Sequence, residues 1–355
     1  MKKNVFLCHR PYHILRSCSL IQHFKESDSI NILVLFDVPM SDDCVANQRF
    51  ETNSIYYDFF KEVLYIERKQ APSYKYVGKL FEYCRERRSY FCQRIQKHLD
   101  ADSLYFFCDD ELEMQLMIGM IVERSKTLSK RVLVDEGAVS YDPITIPPKV
   151  VVYWYLMARL FGLKGFNYKW KYGSSKYYNL SIANRPDKAL FRQPITQMPP
   201  LTNDFCEQFR KRLPNNSLNI GAQYYFLYIG THDKPIEKEI PVINKLHDIL
   251  KKHNIPFLIK LHPVQNEREY KELFKDYFFL DKSYPVELFF SEKAILGGTI
   301  SSSLFNASIQ GCHSMDLSPL YKMTTLFRPE QFNWVDVPVI TSFNQFEQMI
   351  VSWIE

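Results

Sequence analysis

Short, nearly continuous apolar runs alternate with amphipathic stretches along the first 141 residues. Residues 4–8 (NVFLC), 30–36 (INILVLF), 62–66 (EVLYI), 103–108 (SLYFFC) and 131–135 (RVLVD) are rich in Val, Ile, Leu and Phe. Runs without strict polar alternation predict strands of a parallel sheet covered on both faces. Residues 12–24, 51–60, 78–99 and 111–125 predict the helices between them, and strand–helix alternation of this kind marks an α/β fold.

The pattern breaks after Tyr141, in a segment rich in proline, aromatic residues and lysine. It restarts near Tyr224 with apolar runs at 224–230, 255–261, 276–280, 293–298 and 312–317. The expectation is α/β: two Rossmann-like parallel-sheet domains facing a cleft. Prolines at 194, 199, 200 and 214 mark the expected linker. We therefore divide the chain into an N-terminal domain (1–200), a C-terminal domain (201–340) and a C-terminal helix (341–355), the last read from the amphipathic FNQFEQMIVSWI.

Composition narrows the function classes. Apolar residues at 46% and charged residues at 24% describe an ordered globular chain. A net charge of +5 is too mild to announce a nucleic-acid partner. Its distribution says more: seven basic residues and no acid lie between Pro143 and Pro186. The eight cysteines include no CxxC pair, which fits a reduced cytoplasmic setting. No apolar run approaches 18 residues, so no membrane span is predicted.

In open parallel sheets, ligands gather at the carboxyl ends of strands. After 255–261 comes His262-Pro263, opening a stretch whose free N–H groups would favour an anion; the alternative is a structural histidine. After 293–298, Thr299, Ser301, Ser302 and Ser303 form either a phosphate cradle or ordinary helix caps. After 224–229, Gly230 permits close backbone approach to a ligand, and Asp233 is either a site carboxylate or a cap. Asp135-Glu136-Gly137 places two carboxylates at a strand end, where one could move a proton or both could serve solvent and turn. Asp42-Asp43 and Asp109-Asp110 lack His or Cys at metal-ligand spacing, and no metal is expected. Dinucleotide, P-loop and GxSxG signatures do not occur.

The segments NVFLCHRPYHILRS, VLVDEG, FLYIGTHDK, FLIKLHP, YPVELFF and GGTISSSLF, in this order, resemble bacterial sialyltransferases of GT-B fold. The resemblance is nearest to the lipooligosaccharide sialyltransferases (glycosyltransferase family 52), with the bacterial polysialyltransferases next. It implies inverting, metal-independent transfer of sialic acid from CMP-sialic acid to a galactoside or sialoside hydroxyl of a bacterial surface glycan, lipooligosaccharide or capsule. No cofactor is implied. His262 matches the group acting on the departing CMP. The base is either Asp233 or a member of the pair Asp135 and Glu136. Ser301 and Ser302 match hydroxyls on the CMP phosphate, and Glu287 the acid on the ribose. Gly230, Thr231, Lys260, Pro263, Thr299, Ser303, His13 and Gly137 lie in the same segments and carry over as substrate-binding.

Two rival readings remain: a GT-B transferase using another donor such as CMP-Kdo, and a non-catalytic glycan-binding protein of the same fold. The first strand is read at the start of the sequence, and no hydrophobic anchor is expected. Segment 150–172, with Trp154, Phe161, Phe166 and Trp170 among lysines, is therefore either a peripheral contact with the inner membrane or an acceptor loop plus a packed helix. The expected partners are a nucleotide-sugar donor and a glycan acceptor, with no nucleic acid and a homodimer as an open alternative.

Overall fold

The computed structural model describes residues 2–25, 28–36, 53–69, 71–72, 77–107, 109, 112–137, 140–141, 147–164, 173, 175–191, 193–213, 223–230, 236–262, 265–275, 277–299, 301–323 and 334–355. It divides into two compact units, one ending at Pro199 and the other running from Pro200 to Glu355; residues 40–43, grouped with the second, are outside the described set.

The first unit is built on a seven-stranded parallel sheet. Its strands are β1 (Lys2–Cys8), β2 (Ser29–Phe36), β3 (Glu62–Ile66), β4 (Ser103–Phe106), β5 (Lys130–Val134), β6 (Leu180–Ala183) and β7 (Ile195–Gln197), ordered β3-β2-β1-β4-β5-β6-β7. The order reverses at β1, which pairs with β2 on one side and β4 on the other. Helices α1 (Pro11–Phe24), α2 (Val77–Ile95), α3 (Leu112–Arg124) and α4 (Pro148–Phe161) accompany it. Val5, Leu7, Val34, Leu104 and Leu133 from the strands and Leu80, Phe91, Met117 and Phe161 from the helices share one core. The predicted helix at 51–60 is a 3₁₀ helix, Asn53–Phe59.

Two strands were not read from the sequence, and one helix was read only as an alternative. Strands β6 and β7 extend the sheet, yet at four and three residues each is too short to show as a run. The irregular middle contains α4. Val150–Val152 is a β-branched run that argues against helix, but Pro148 sits in its first turn and Gly162, at φ +95°, ends it in the left-handed region. One face of α4 buries Met157, Ala158 and Phe161 while Val152, Tyr155 and Leu156 stay exposed.

The second unit carries β8 (Tyr225–Ile229), β9 (Phe257–Lys260), β10 (Phe278–Leu280), β11 (Ala294–Gly298) and β12 (His313–Asp316), ordered β10-β9-β8-β11-β12 and all parallel. Its helices are α5 (Asn203–Arg210), α6 (Ile236–Lys252), α7 (Glu267–Leu273), α8 (Ser302–Ile309) and α9 (Phe343–Ile354). Ser342 caps α9 by accepting from Gln345 N, and Phe346 and Ile350, one turn apart, bury it against the β8–β9 core. Among the described residues no helix is long and apolar enough to cross a membrane.

Candidate functional site

In the first unit the site is built at the carboxyl ends of β1, β4, β5 and β6. Asp135 and Glu136 follow β5, His9 and Arg10 follow β1, Phe107 follows β4 and Asn184 follows β6. The two carboxylates have different work. Asp135 is fully buried and accepts from Gly137 N (2.7 Å), Tyr141 Oη (2.5 Å), Asn184 N (3.0 Å) and Asn184 Nδ2 (3.1 Å). Gly137 makes its bond from φ +116°, a conformation that favours glycine. Asn184 is held in turn by the buried guanidinium of Arg16, which donates to its Oδ1 (3.3 Å), to Pro199 O (3.1 Å) and to Tyr12 Oη (3.0 Å). Burial, and then the neighbouring Asp135 charge, keep the Tyr141 phenol protonated.

Glu136 turns the other way. Its Oε1 lies 2.8 Å from Arg10 Nη1, 3.5 Å from His13 Nε2 and 3.8 Å from His9 Nε2. The His13 ring stacks on Phe107 at 4.4 Å, and His9 meets it edge-on at 4.3 Å. Burial, reinforced by neighbouring cationic groups including Arg10, lowers both imidazoles well below the usual histidine range, so both are neutral near pH 7. His13 Nδ1 accepts from His9 N (3.4 Å), which places the ring proton on Nε2, toward Glu136.

His9, His13 and Glu136 together offer three ligand atoms within 4.8 Å of one another. The i, i+4 spacing of the two histidines was a signal for this cluster in the sequence. In the arrangement present, a guanidinium lies against Glu136 Oε1, and His13 Nε2 faces that oxygen at 3.5 Å without forming a hydrogen bond.

In the second unit the corresponding strand ends carry Gly230, His262, Thr299 and Asp316. His262 is half-buried in a turn closed twice by Gln265, whose Oε1 accepts from His262 N (2.7 Å) and whose N donates to His262 O (2.9 Å). A Cβ added at Gly230 would collide with that same Oε1. The close approach Gly230 permits is thus to Gln265. Lys260 is buried, and its ammonium donates to Lys282 O (2.9 Å) and Leu261 O (3.4 Å); burial lowers it to about 8.

The serine cluster divides into separate tasks. Ser301 caps α8 by accepting from Ser303 N (3.2 Å). Ser303 Oγ (3.3 Å) and Asn306 Nδ2 (3.1 Å) both donate to Glu287 Oε1, in the 3₁₀ helix Val286–Phe289. Ser302 opens the first turn of α8, and the Thr299 hydroxyl is buried without a hydrogen-bond partner. Thr231, Asp233 and Pro263 lie outside the described residues. Arg10, His9, Asn184, Tyr141 and Gln265 were not singled out from the sequence: Arg10, His9 and Asn184 meet Glu136 or Asp135 from 49 or more residues away, whereas the Tyr141–Asp135 and Gln265–His262 pairs are local but carry no motif.

A family model described as Alpha-2,8-polysialyltransferase (POLYST) matches residues 4–310. The chain belongs to this family. It is a glycosyltransferase, specifically a sialyltransferase, and as such takes a nucleotide-sugar donor and a glycan acceptor. Family 52 membership, the nearest resemblance in the sequence, is not what the family match gives. No curated protein matches the chain. Among solved structures, an alpha/beta-galactoside alpha-2,3-sialyltransferase from Photobacterium phosphoreum is 12% identical. It covers 96% of this chain and 98% of its own, with a TM-score of 0.51. The S. aureus MnaA–UDP co-structure is 14% identical over 100% of this chain and 88% of its own, with a TM-score of 0.56. The UDP-GlcNAc 2-epimerase from Neisseria meningitidis bound to UDP-GlcNAc is 12% identical over 99% and 91%, also at 0.56. At these identities the likeness is one of fold, and the fold is GT-B.

Proposed function

We propose that this sialyltransferase moves sialic acid from CMP-sialic acid to a hydroxyl of a galactoside or sialoside acceptor in a bacterial surface glycan, with inversion and without a metal. The family's description favours the sialoside. The observation carrying the mechanism is the contrast between adjacent carboxylates. Asp135 spends its oxygens on four donors of its own unit, while Glu136 is held by Arg10 and faces two neutral imidazoles.

Glu136 is then the base. It accepts the proton of the acceptor hydroxyl as the new glycosidic bond forms at the anomeric carbon, and Asp135 holds the turn that presents it. His262, in the second unit, meets the phosphate oxygen that gains charge as the bond to CMP breaks. Thr299 and the first turn of α8 supply donors of the kind that stabilise such charge. Glu287, oriented by Ser303 and Asn306, is suited to accept from the ribose hydroxyls. Peripheral attachment through the exposed Val152, Tyr155 and Leu156, beside Arg159, is part of this reading and is checked by sedimentation with anionic vesicles.

The test compares Glu136→Gln, Asp233→Asn and His262→Ala for transfer and for CMP affinity. Glu136→Gln is expected to lose ~10²–10⁴ in transfer with CMP binding intact, Asp233→Asn to keep most of it, and His262→Ala to lose both transfer and slow donor hydrolysis. Excess EDTA should leave the wild-type rate nearly unchanged. Transfer retained by Glu136→Gln but lost by Asp233→Asn would move the base to the second unit; restoration of an EDTA-treated enzyme by Mg²⁺ would end the metal-independent scheme. A UDP thermal shift without a CMP shift would favour another nucleotide donor.

A further inference from the structure

Behind the His262 turn, the second unit buries a carboxylate that this chemistry does not use. Glu239, in the first turn of α6, is fully buried, and among the described residues no cation forms a salt bridge with it. Its partners among the described residues are neutral: Gln265 Nε2 donates to Oε1 (3.2 Å), Tyr228 Oη to Oε2 (3.2 Å), and the Tyr270 hydroxyl is a further donor. Gln265 Nε2 also donates to Tyr270 Oη (2.7 Å), and the Tyr321 hydroxyl lies 2.7 Å from that of Tyr228.

An ionised carboxylate only accepts hydrogen bonds. It therefore turns the NH₂ of Gln265 toward itself and leaves the amide oxygen facing His262 N at 2.7 Å. We propose that Glu239 is a positioning residue for His262: its carboxylate sets the orientation of the Gln265 amide, and that amide holds the His262 turn. The proposal rests on the reading of His262 as the group that meets the departing phosphate.

Protonation removes this constraint. A neutral Glu239 carries an O–H that the Tyr228 or Tyr270 hydroxyl can accept or, once the amide rotates, Gln265 Oε1. Rotating the amide to meet it sets the Gln265 NH₂ against the His262 N–H, donor against donor. Burial, the dominant influence, raises the Glu239 carboxyl to about 7, so this exchange falls near neutrality. The groups facing it are Tyr228 from β8, Tyr270 from α7, Tyr321 from the 3₁₀ helix Ser318–Tyr321, and Gln265. Burial holds the three phenols above their ordinary range, so none of them titrates there.

Glu239→Gln keeps the shape and removes the charge, and the full-length protein is measured from pH 5.5 to 8.5. Three results are expected. The melting temperature at pH 8 is equal to or above wild type, because a buried charge that burial disfavours is gone. The kcat falls about tenfold with little change in donor KM, and the acid limb near pH 7 disappears. The backbone amide resonance of His262 titrates near pH 7 in wild type and is silent in the variant. Gln265→Met, which fills the same space without polar atoms, should show the same silent amide and lowered kcat. A carboxylate that serves only the fold would lower the melting temperature and leave the pH profile of kcat in place. The inference is overturned if the wild-type amide does not titrate, or if Glu239→Gln keeps both wild-type kcat and the acid limb. Wild-type turnover by His262→Ala would instead remove the role assigned to His262, while the amide titration tests the positioning network by itself.

Discussion

The Tyr141 hydroxyl donates to Asp135 Oδ2 at 2.5 Å, and Asn184 donates twice to the same oxygen. With Gly137 N on Oδ1, the carboxylate has four donors and no exposure. Replacing one oxygen by NH₂ necessarily sets a donor against a donor.

Asp135→Asn should therefore destabilise the protein by roughly 2–3 kcal/mol, since it leaves a buried polar group mismatched. Tyr141→Phe, which removes a single donor, should cost ~1–2 kcal/mol. Both changes lose activity together with stability, because the Glu136 turn is built on Asp135. Denaturant midpoints and transfer rates on the same samples check this. An Asp135→Asn protein of wild-type stability with transfer abolished would return Asp135 to the chemistry.

The strands were legible in the sequence wherever they were long and apolar, as in residues 30–36 and 131–135, because a parallel sheet covered on both faces leaves that mark. β6 and β7 left none; they are short, and Ile195–Gln197 is partly exposed at the sheet edge. α4 was legible only as the packed helix of one alternative for segment 150–172, because its β-branched run pulls against a proline and a glycine whose meaning is positional. The site shows the same division. Asp135, Glu136 and His262 were visible because they stand directly after strands. Arg10 and Asn184 act through pairings such as Asn184 with Asp135, 49 residues apart, which exist only once the sheet order is known, and Gln265, though three residues from His262, carries no motif of its own.

The neutral imidazoles of His9 and His13 give the first unit a pH dependence whose sign can be worked out. Burial lowers both below the ordinary value of 6.5. The unfolded chain therefore takes up protons near pH 6.5 while the folded unit does not. Their contribution to stability is fully present above that pH and is lost as the pH falls below it, by up to ~1.4 kcal/mol per pH unit for each group. Urea midpoints should decline between pH 6.5 and 5.5 in wild type, and His13→Gln should decline less. Stability that rises on acidification through this window would mean that the pair is protonated in the fold, as a partner of the Glu136 charge.

Gly230 and Gln265 supply the sharpest test of why a glycine stands at the end of β8. A methyl group at 230 falls on Gln265 Oε1, the atom that holds His262 N. Gly230→Ala should push the Gln265 side chain aside, open the His262 turn and lower donor turnover more than tenfold. If the loss arises at Gln265, it should largely vanish in a Gln265→Ala background, where the added methyl meets no side chain. The two changes together should then cost little more than Gln265→Ala alone, a coupling of ~1 kcal/mol or more in a double-mutant cycle on kcat. Strict additivity would mean that the alanine methyl obstructs bound donor directly, and that Gly230 is required by the ligand.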